Sequence, residues 1–502
     1  GGFYKKAWFF AEKSKAGVLQ DALLESNARR FSGIPDSLLR QENLLRGGLI
    51  FQDTELQKER ARGANADSLK TANLEKKLFD LKRKYQALQD RFEAEFPKYH
   101  ALKFQDSAID LETMQQYLAP DQLLIEYFFS EKSLTIFLLS QSDFQLRTVP
   151  VGESLQKNIK AFLAAIKKLD TPGFLNANRK LYDTLISPIQ SELDKYSRLV
   201  IIPDGVLYYL PFEALFRPSE SADDARPDFT KLPWLIRSHS IVYHYSANLF
   251  FSEKINASRQ KAIADNAAPS FVGFAPVFSD TAQVGAIEET ATTSVLLTDD
   301  SPALRSIIVD GKRFQALEHS EKEVRGAMQL FEKKRRQGMA FYHGKATESN
   351  FKSSLAQRRF VHIATHGILN EENPKLSGLL FAPEGNDGGE DGVLYASETF
   401  NLDLDADLVV LSSCESGLGQ YVKGEGLMAL TRGFLYAGAS NVLVSLWKVY
   451  DRHTKTLMVD FYKNALSGDS YAEALRQAKL KMIKKPATAF PSKWSAFVLI
   501  GR

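Results

Sequence analysis

Residues 360–367 read Phe-Val-His-Ile-Ala-Thr-His-Gly, and residues 408–419 read Leu-Val-Val-Leu-Ser-Ser-Cys-Glu-Ser-Gly-Leu-Gly. Each stretch begins with a short apolar run that is typical of a buried strand in a parallel sheet. A reactive side chain follows each run, His366 in the first and Cys414 in the second. Functional residues of open α/β sheets gather beyond the carboxyl ends of the strands. We therefore expect both side chains at one end of a single sheet.

The two residues suit nucleophilic catalysis. Their separation of 48 residues is about one strand-helix-strand crossover, which would make their strands neighbours. A thiol is a strong nucleophile as the thiolate, and a nearby imidazole can take its proton. The oxyanion formed on a peptide carbonyl needs preorganised donors, for which the backbone N–H groups of Gly367 and Cys414 are candidates. The pattern predicts a cysteine peptidase with Cys414 as nucleophile and His366 as general base.

Each residue also has a structural interpretation. A single cysteine at a strand end is commonly a small buried hydrophobe, and a single histidine is commonly a packed or surface residue. Among the eight histidines, only His366 lies at the end of a predicted strand and directly before a glycine. His362 lies inside the same strand and is interpreted as a core or interface residue. The spacing of His366 and Cys414 favours catalysis over the structural interpretation.

Composition restricts the class of protein. The chain has 502 residues, 64 basic and 61 acidic residues and a net charge of +3, so charge gives no reason to expect nucleic acid or membrane partners. No apolar run is long enough to predict a membrane span. The one cysteine excludes an internal disulfide and a cysteine-rich zinc site, and it fits a reducing cytoplasm. No phosphate-binding loop motif occurs, and we expect no cofactor or metal.

Hydrophobic periodicity divides the chain into four parts. Residues 1–105 are predicted to be helical, with two long helices folded as a hairpin around Gly63. Residues 106–255 and 269–502 alternate strands with helices and predict two α/β units, joined by a polar linker at 256–268. The chain begins without Met or a signal-peptide pattern, and we expect further residues upstream.

Four apolar runs in the second α/β unit are predicted to be buried parallel strands, and the helices between them include one from Leu427 to Tyr436. The runs are Phe360–Ala364, Leu408–Leu411, Asn441–Leu446 and Phe497–Ile500.

Further motifs continue from the two opening stretches. They are Gly-Glu-Gly-Leu-Met-Ala-Leu-Thr-Arg at 424–432, Tyr-Ala-Gly-Ala at 436–439, Ser-Leu-Trp-Lys-Val at 445–449 and Trp-Ser-Ala-Phe-Val-Leu-Ile-Gly at 494–501. Together these motifs resemble the CHAT family, the caspase-like domains associated with tetratricopeptide repeats, over about residues 317–502. No clear tetratricopeptide array is visible in residues 1–105, and we expect this region to hold the final helices of an array that lies upstream, followed by the long hairpin.

The resemblance implies an α/β fold with a caspase-like, mostly parallel sheet flanked by helices. It implies a histidine–cysteine dyad, which maps onto His366 and Cys414. It also suggests that residues 106–255 form a pseudo-caspase α/β unit, which has no cysteine and cannot itself supply a thiol dyad.

Substrate recognition is also inferred from the resemblance. In caspase-like folds the substrate adds as a strand beside the segment that is Val444–Val449 here, which includes Ser445. Trp447 would wall the first pocket, and Asp451 would attract a basic residue before the cut. Asp451 equally suits a cap for a helix that begins near Arg452, and both interpretations stay open.

The acidic, glycine-rich stretch at 384–392 is interpreted as a surface loop, since it lacks the spacing of an EF-hand calcium loop. Taken together, the sequence predicts a bacterial, cytoplasmic endopeptidase that cleaves a specific protein substrate. We expect a regulatory protein partner to act through the helical region. The alternative is a catalytically silent caspase-like scaffold that signals by binding proteins.

Overall fold

The computed structural model describes most of the chain. The described residues are 2–13, 15, 34–63, 66–96, 109–130, 132–152, 154–218, 227–260, 270–276, 296–297, 306–309, 312–315, 317, 319–356, 358–368, 376–383, 390–412, 421–422, 426–427, 430–447 and 451–501. Cys414 lies outside these described residues, and so does the part of the acidic stretch at 384–389.

The helices are distributed along the whole chain. They are α1 (Gly2–Lys13), α2 (Asp36–Ala61), α3 (Ser68–Glu95), α4 (Leu111–Tyr117), α5 (Ser154–Lys168), α6 (Thr171–Leu185), α7 (Gln190–Leu193), α8 (Leu235–Ser238), α9 (Ala247–Gln260), α10 (Ser320–Lys333), α11 (Glu348–Ser354), α12 (Ala396–Thr399), α13 (Leu430–Tyr436), α14 (Asp451–Ala465) and α15 (Tyr471–Ile483). In the described part of the chain, none of them combines the length and apolar character that crossing a lipid bilayer requires.

The strands begin after the helical region. They are β1 (Gln122–Phe129), β2 (Ser133–Leu139), β3 (Phe144–Pro150), β4 (Arg198–Ile202), β5 (Ser240–Tyr243), β6 (Phe271–Ala275), β7 (Leu296–Leu297), β8 (Ser306–Val309), β9 (Lys312–Gln315), β10 (Gly338–Tyr342), β11 (Phe360–Ile363), β12 (Gly367–Ile368), β13 (Gly378–Leu380), β14 (Val393–Tyr395), β15 (Leu408–Leu411), β16 (Tyr421–Val422), β17 (Gly426–Leu427), β18 (Asn441–Ser445) and β19 (Phe497–Gly501).

The two long helices α2 and α3 form the predicted hairpin. The connection contains Gly63 with φ of +57°, a left-handed conformation that glycine adopts without steric cost. Asp67 caps α3 by accepting a hydrogen bond from the backbone N–H of Leu69 at 2.8 Å. Leu56 of α2 packs with Leu74 of α3 near this turn, so the helices run antiparallel.

One large sheet forms the centre of the molecule. Eleven of the described strands lie in it, in the order β10-β6-β11-β15-β18-β19-β5-β4-β1-β2-β3. The strands from β10 to β18 are parallel to one another, and the block β19-β5-β4-β1 is parallel within itself but runs the other way. Helices such as α10 and α15 pack on it. The predicted α/β class with a mostly parallel sheet flanked by helices is confirmed.

The direction of the last strand differs from the prediction. Phe497–Ile500 was expected to be parallel, but β19 pairs antiparallel with β18, Phe497 opposite Ser445. On its other edge β19 is parallel to β5, with Ile500 opposite Tyr243. An apolar run indicates burial and not strand direction, so the sequence pattern could not reveal this. Strand β19 therefore joins strands from both predicted α/β units into one sheet.

Two element boundaries also differ from the prediction. The helix expected from Leu427 begins at Leu430, because Gly426–Leu427 forms β17 and pairs with Tyr421–Val422. Helix α9 continues to Gln260 and so extends into the segment predicted as a linker.

A buried ion pair links α15 to the first α/β unit. The ammonium of Lys479 lies 2.9 Å from a carboxylate oxygen of Glu213, and both side chains are buried. Desolvation lowers the pKa of Lys479, while Glu213 opposes that effect. Breaking such a pair leaves an uncompensated charge in the core. The ion pair therefore joins α15, near the end of the chain, to Glu213 of the first α/β unit.

Candidate active site

Strands β11 and β15 carry the two predicted catalytic segments. The strands are neighbours and parallel, with Ile363 opposite Leu411. The ladder continues one step further, because the N–H of Ser412 donates to the carbonyl of Ile363 at 2.9 Å. In the sequence His366 follows Ile363 by three residues, and Cys414 follows Leu411 by three. The two segments thus leave the same end of the sheet, directly after two residues that lie opposite each other.

A small sheet holds His366 where it leaves β11. Its three strands lie in the order β12-β13-β14. The N–H of Leu380 donates to the carbonyl of His366 at 2.9 Å, and the hydroxyl of Thr365 donates to the carbonyl of Leu380. The side chain of His366 is mostly buried, with 6% exposed. Backbone and side-chain contacts therefore fix the chain on both sides of the Thr365–His366 bond.

The backbone of Gly367 has a specific orientation. Gly367 lies opposite Leu379 in the antiparallel pair of β12 and β13. Opposite residues in such a pair alternate between hydrogen-bonded and non-hydrogen-bonded positions. Because Leu380 donates to His366, the next pair, Gly367 with Leu379, is a non-hydrogen-bonded one. The N–H of Gly367 therefore points away from β13.

The predicted substrate segment lies at the end of β18. Ser445 is fully buried, and Trp447 has 3% of its side chain exposed. The N–H of Leu446 donates to the carbonyl of Ala496 at 2.8 Å, so this edge of the segment is occupied as far as Leu446. Asp451 is the first residue of α14, a position that fits the predicted helix start. Residues 448–450 and the side chain of Asp451 are outside the described part.

His362 has the structural role expected of it. The side chain is fully buried, Nδ1 lies 3.0 Å from the hydroxyl of Tyr462, and Nε2 lies 2.9 Å from a carboxylate oxygen of Glu323. Burial, together with the Glu323 carboxylate, raises the pKa of Tyr462, so its hydroxyl stays protonated. Both ring nitrogens are engaged in the core.

Comparison with known proteins decides the family. The family model named "CHAT domain" matches residues 176–502, well over half of the chain. The chain belongs to the CHAT domain family. The matched region begins before residue 317, where the sequence motifs start, and includes much of the first α/β unit. It also contains His366 and Cys414.

Two curated relatives and two solved structures resemble the chain. Tetratricopeptide repeat protein 28 of Mus musculus is 27% identical over 365 residues, and that of Homo sapiens is 27% identical over 366. Each alignment covers 64% of this chain and 13% of the relative, so the chain spans a small part of their length. Two structures of the Saccharomyces cerevisiae separase–securin complex match with TM-scores of 0.49 and 0.48 and 10% identity, over 78% of this chain and 30% of that one.

The crossover between the two site strands of the CHAT domain differs from the prediction. A helix was expected between β11 and β15, but the described residues there form β12, β13, β14 and only a short helix, α12. The backbone N–H of Tyr395 donates to the Glu398 carboxylate at 2.9 Å and closes the start of α12. The small sheet therefore takes the place of the crossover helix and contacts the histidine segment directly.

A group of carboxylates surrounds one lysine beside this crossover. The ammonium of Lys352 lies 2.8 Å from Glu348, 2.8 Å from Glu390 and 3.1 Å from Glu398. Carboxylate oxygens of the three glutamates lie within 4.8 Å of one another and could hold a metal ion. Lys352 already lies among them as their counter-ion. Burial and then Glu398 raise the pKa of Glu348 to about 8.

Helix α2 contacts the segment that follows the histidine. Lys58 donates to the Asp391 carboxylate at 2.8 Å, and its ammonium lies 4.6 Å from the ring centroid of Tyr395 in β14. The hydroxyls of Thr54 and Ser397 are 3.1 Å apart. The sequence contained Glu390 and Asp391 in its acidic stretch, but nothing in the local pattern indicated these partners.

The same helix contacts the segment that follows the cysteine. Arg46 donates to the hydroxyl of Tyr436 at 3.0 Å, and its guanidinium lies 5.8 Å from the ring centroid of that tyrosine. Tyr436 is the last residue of α13, which connects the cysteine segment to β18. The hairpin thus touches the chain after each of the two site strands.

Proposed function

We propose that this CHAT protein is a cysteine endopeptidase in which Cys414 is the nucleophile and His366 the general base. The observation that carries the proposal is the register of β11 and β15, with Ile363 opposite Leu411. His366 follows Ile363 by three residues and Cys414 follows Leu411 by three, which supports a meeting of the two side chains beyond neighbouring strand ends. Functional groups of parallel sheets gather at this end.

The chemistry follows from the groups available. His366 takes the proton of the thiol, and the thiolate of Cys414 attacks the carbonyl carbon of the scissile peptide bond. The backbone N–H groups of Gly367 and Cys414 stabilise the oxyanion. The C–N bond then breaks, His366 gives its proton to the leaving amine, and water hydrolyses the thioester. No cofactor takes part in these steps.

The proposed substrate is a polypeptide bound as an extended strand beside the last part of Val444–Val449, beyond Leu446. Val444 is already paired with β15 and β19, and Leu446 is bonded to Ala496. Backbone hydrogen bonds would supply affinity and side-chain pockets specificity. Trp447 would wall the first pocket, and Ser445 would support it from the core. Asp451 would favour a basic residue before the cut, in addition to beginning α14.

A regulatory protein partner acting through the helical region forms part of the proposal. Its support is the position of α2, which is bonded through Lys58 to the segment after β11 and through Arg46 to the helix after β15. A partner that displaced α2 would change the contacts of both segments.

Cleavage and covalent labelling test the proposal together. The full chain is incubated with a peptide library digested from a bacterial proteome, and new termini are read by mass spectrometry. We expect specific cleavage by the wild type and none by Cys414→Ala. Arginine- and leucine-based acyloxymethyl ketones should label Cys414, and His366→Ala should lose the label. Faster labelling by the arginine probe would support a basic residue before the cut.

The control for labelling is His343→Asn, which replaces a half-exposed histidine paired with Glu321. It should label like the wild type. Cleavage that persists in Cys414→Ala would contradict the assignment of the nucleophile. A wild type that neither cleaves nor labels would contradict peptidase activity and favour the silent scaffold.

A further inference from the structure

A cavity of about 550 Å³ lies between the helical hairpin and the CHAT domain. Gly47, Ile50 and Phe51 of α2 form one wall, and Lys352 and Leu355 at the end of α11 lie across from them. Residues 401–405, between α12 and β15, complete the lining. The volume is in the range of pockets that hold a small ligand or a few side chains.

The lining carries more negative than positive charge. Its carboxylates are Glu398, Asp403 and Asp405, and the two aspartates are exposed at the cavity. Lys352 is the cation among the described lining residues, and its ammonium pairs with Glu398 of the lining and with Glu348 and Glu390 outside the cavity, so the exposed negative charge of the lining is that of Asp403 and Asp405. A positively charged group is therefore the complementary occupant.

Charge-assisted hydrogen bonds suit a cationic occupant. An ammonium or guanidinium group in the cavity can donate to the exposed carboxylates of Asp403 and Asp405.

An exposed apolar surface borders the cavity on α2. Leu44 is 78% exposed and Phe51 is 59% exposed. The seven-residue spacing places both side chains on one face of the helix, roughly 10 Å apart along its axis. Gly47 lies between them on this face and adds no side chain. A free amine would fill the cavity and leave this face uncovered, whereas a polypeptide covers both.

We propose that this cavity binds a lysine or arginine side chain of a partner polypeptide, with neighbouring apolar residues of the partner on Leu44 and Phe51. The docking site goes beyond the proposed peptidase function and does not depend on it. The partner is recognised by charge at the cavity and by apolar contact on α2. Because the lining includes residues of α2 and of the CHAT domain, the bound polypeptide contacts both.

Selection from a phage-displayed library of random dodecapeptides tests this site. The target is the full chain with Cys414→Ala, so that no peptide can be cleaved at the proposed active site. Enriched peptides should pair a basic residue with neighbouring apolar residues. Their affinity, measured by fluorescence anisotropy with labelled synthetic peptides, should fall about tenfold or more with Asp403→Asn/Asp405→Asn.

Gly47 offers a matched pair of variants. A Cβ at this position would be 3.8 Å from Asn401, an ordinary contact, and Gly47→Ala should bind the peptides like the parent. Gly47→Trp fills the cavity and should abolish binding, while its unfolding midpoint shows that the fold is kept. Enriched peptides that lack basic residues, or that bind Gly47→Trp equally well, would overturn the proposal. So would a selection without enrichment.

Discussion

Ile363 and Leu411 lie opposite each other at the carboxyl ends of two neighbouring parallel strands. This pair sets the level at which the chain leaves β11 toward His366 and leaves β15 toward Cys414. The antiparallel contact of β12 with β13 then turns the N–H of Gly367 away from β13. The two registers thus place the segment of the proposed base and oxyanion donor beside the end of the strand that precedes Cys414.

Thr365 is expected to position the histidine segment. Thr365→Val keeps the side-chain shape but removes the hydroxyl that donates to Leu380, at a cost of about 1 kcal/mol in the free energy of unfolding. Because His366 and Gly367 follow directly, kcat/KM for peptide cleavage should fall by about tenfold or more. Urea unfolding and cleavage assays measure the two effects.

The matched control for Thr365 is Thr365→Ser, which keeps the hydroxyl and should retain most of the activity. Equal kcat/KM in the valine variant and the wild type would show that this hydrogen bond does not position the site.

His362 is expected to stabilise the fold without taking part in catalysis. His362→Leu leaves the buried Glu323 carboxylate without its histidine partner and should lower the free energy of unfolding by about 3 kcal/mol or more. The double variant His362→Leu/Glu323→Leu removes both polar groups and should recover much of that loss. The wild type, the two single variants and the double variant form a double-mutant cycle. Their chemical unfolding measures the coupling free energy between His362 and Glu323.

Labelling of Cys414 gives the second readout for this cycle. The double variant should still react with the acyloxymethyl ketone, because His366 is unchanged. Loss of labelling in a folded double variant would assign His362 a role in the site that its contacts do not suggest.

Glu348 is expected to make stability depend on pH. Its pKa is raised from 4.5 to about 8, first by burial and then by Glu398, although Lys352 opposes the shift. Between these two pKa values the folded state therefore holds a proton that the unfolded state releases. The contribution of this proton to the free energy of unfolding is complete below pH 4.5 and is lost as pH rises through about 8. Glu348→Gln stays neutral and should be more stable than the wild type at pH 8.5, by on the order of 1–3 kcal/mol.

Thermal unfolding between pH 4.5 and 8.5 measures this effect. The difference between variant and wild type should be small at the acidic end and grow with pH. A constant difference, or one that grows toward acid, would contradict the proton uptake by Glu348.

Local sequence patterns predicted the elements of the fold well. The apolar runs ending before His366 and Cys414 form β11 and β15, which are parallel neighbours as expected. The hairpin of α2 and α3 was visible in its periodicity and in Gly63. These features are local, because the spacing of apolar residues within a short stretch indicates which residues are buried and whether the stretch is helical.

Long-range relationships were less accessible. The direction of β19 depends on strands β18 and β5, and the apolar run from Phe497 to Ile500 is compatible with either direction. The contact between Lys58 and Asp391 joins residues 333 positions apart, and exposed charges of both signs are common along the chain. No local signal distinguishes such a pair from solvated residues.

The most direct test of the account uses the fact that Cys414 is the only cysteine in the chain. Alkylation by iodoacetamide at pH 7 then reports on this thiol alone, and its second-order rate is compared between the wild type and His366→Ala. If the imidazole activates the thiol, the rate should fall by about tenfold or more in the variant. Equal rates in two folded proteins would contradict a dyad of His366 and Cys414.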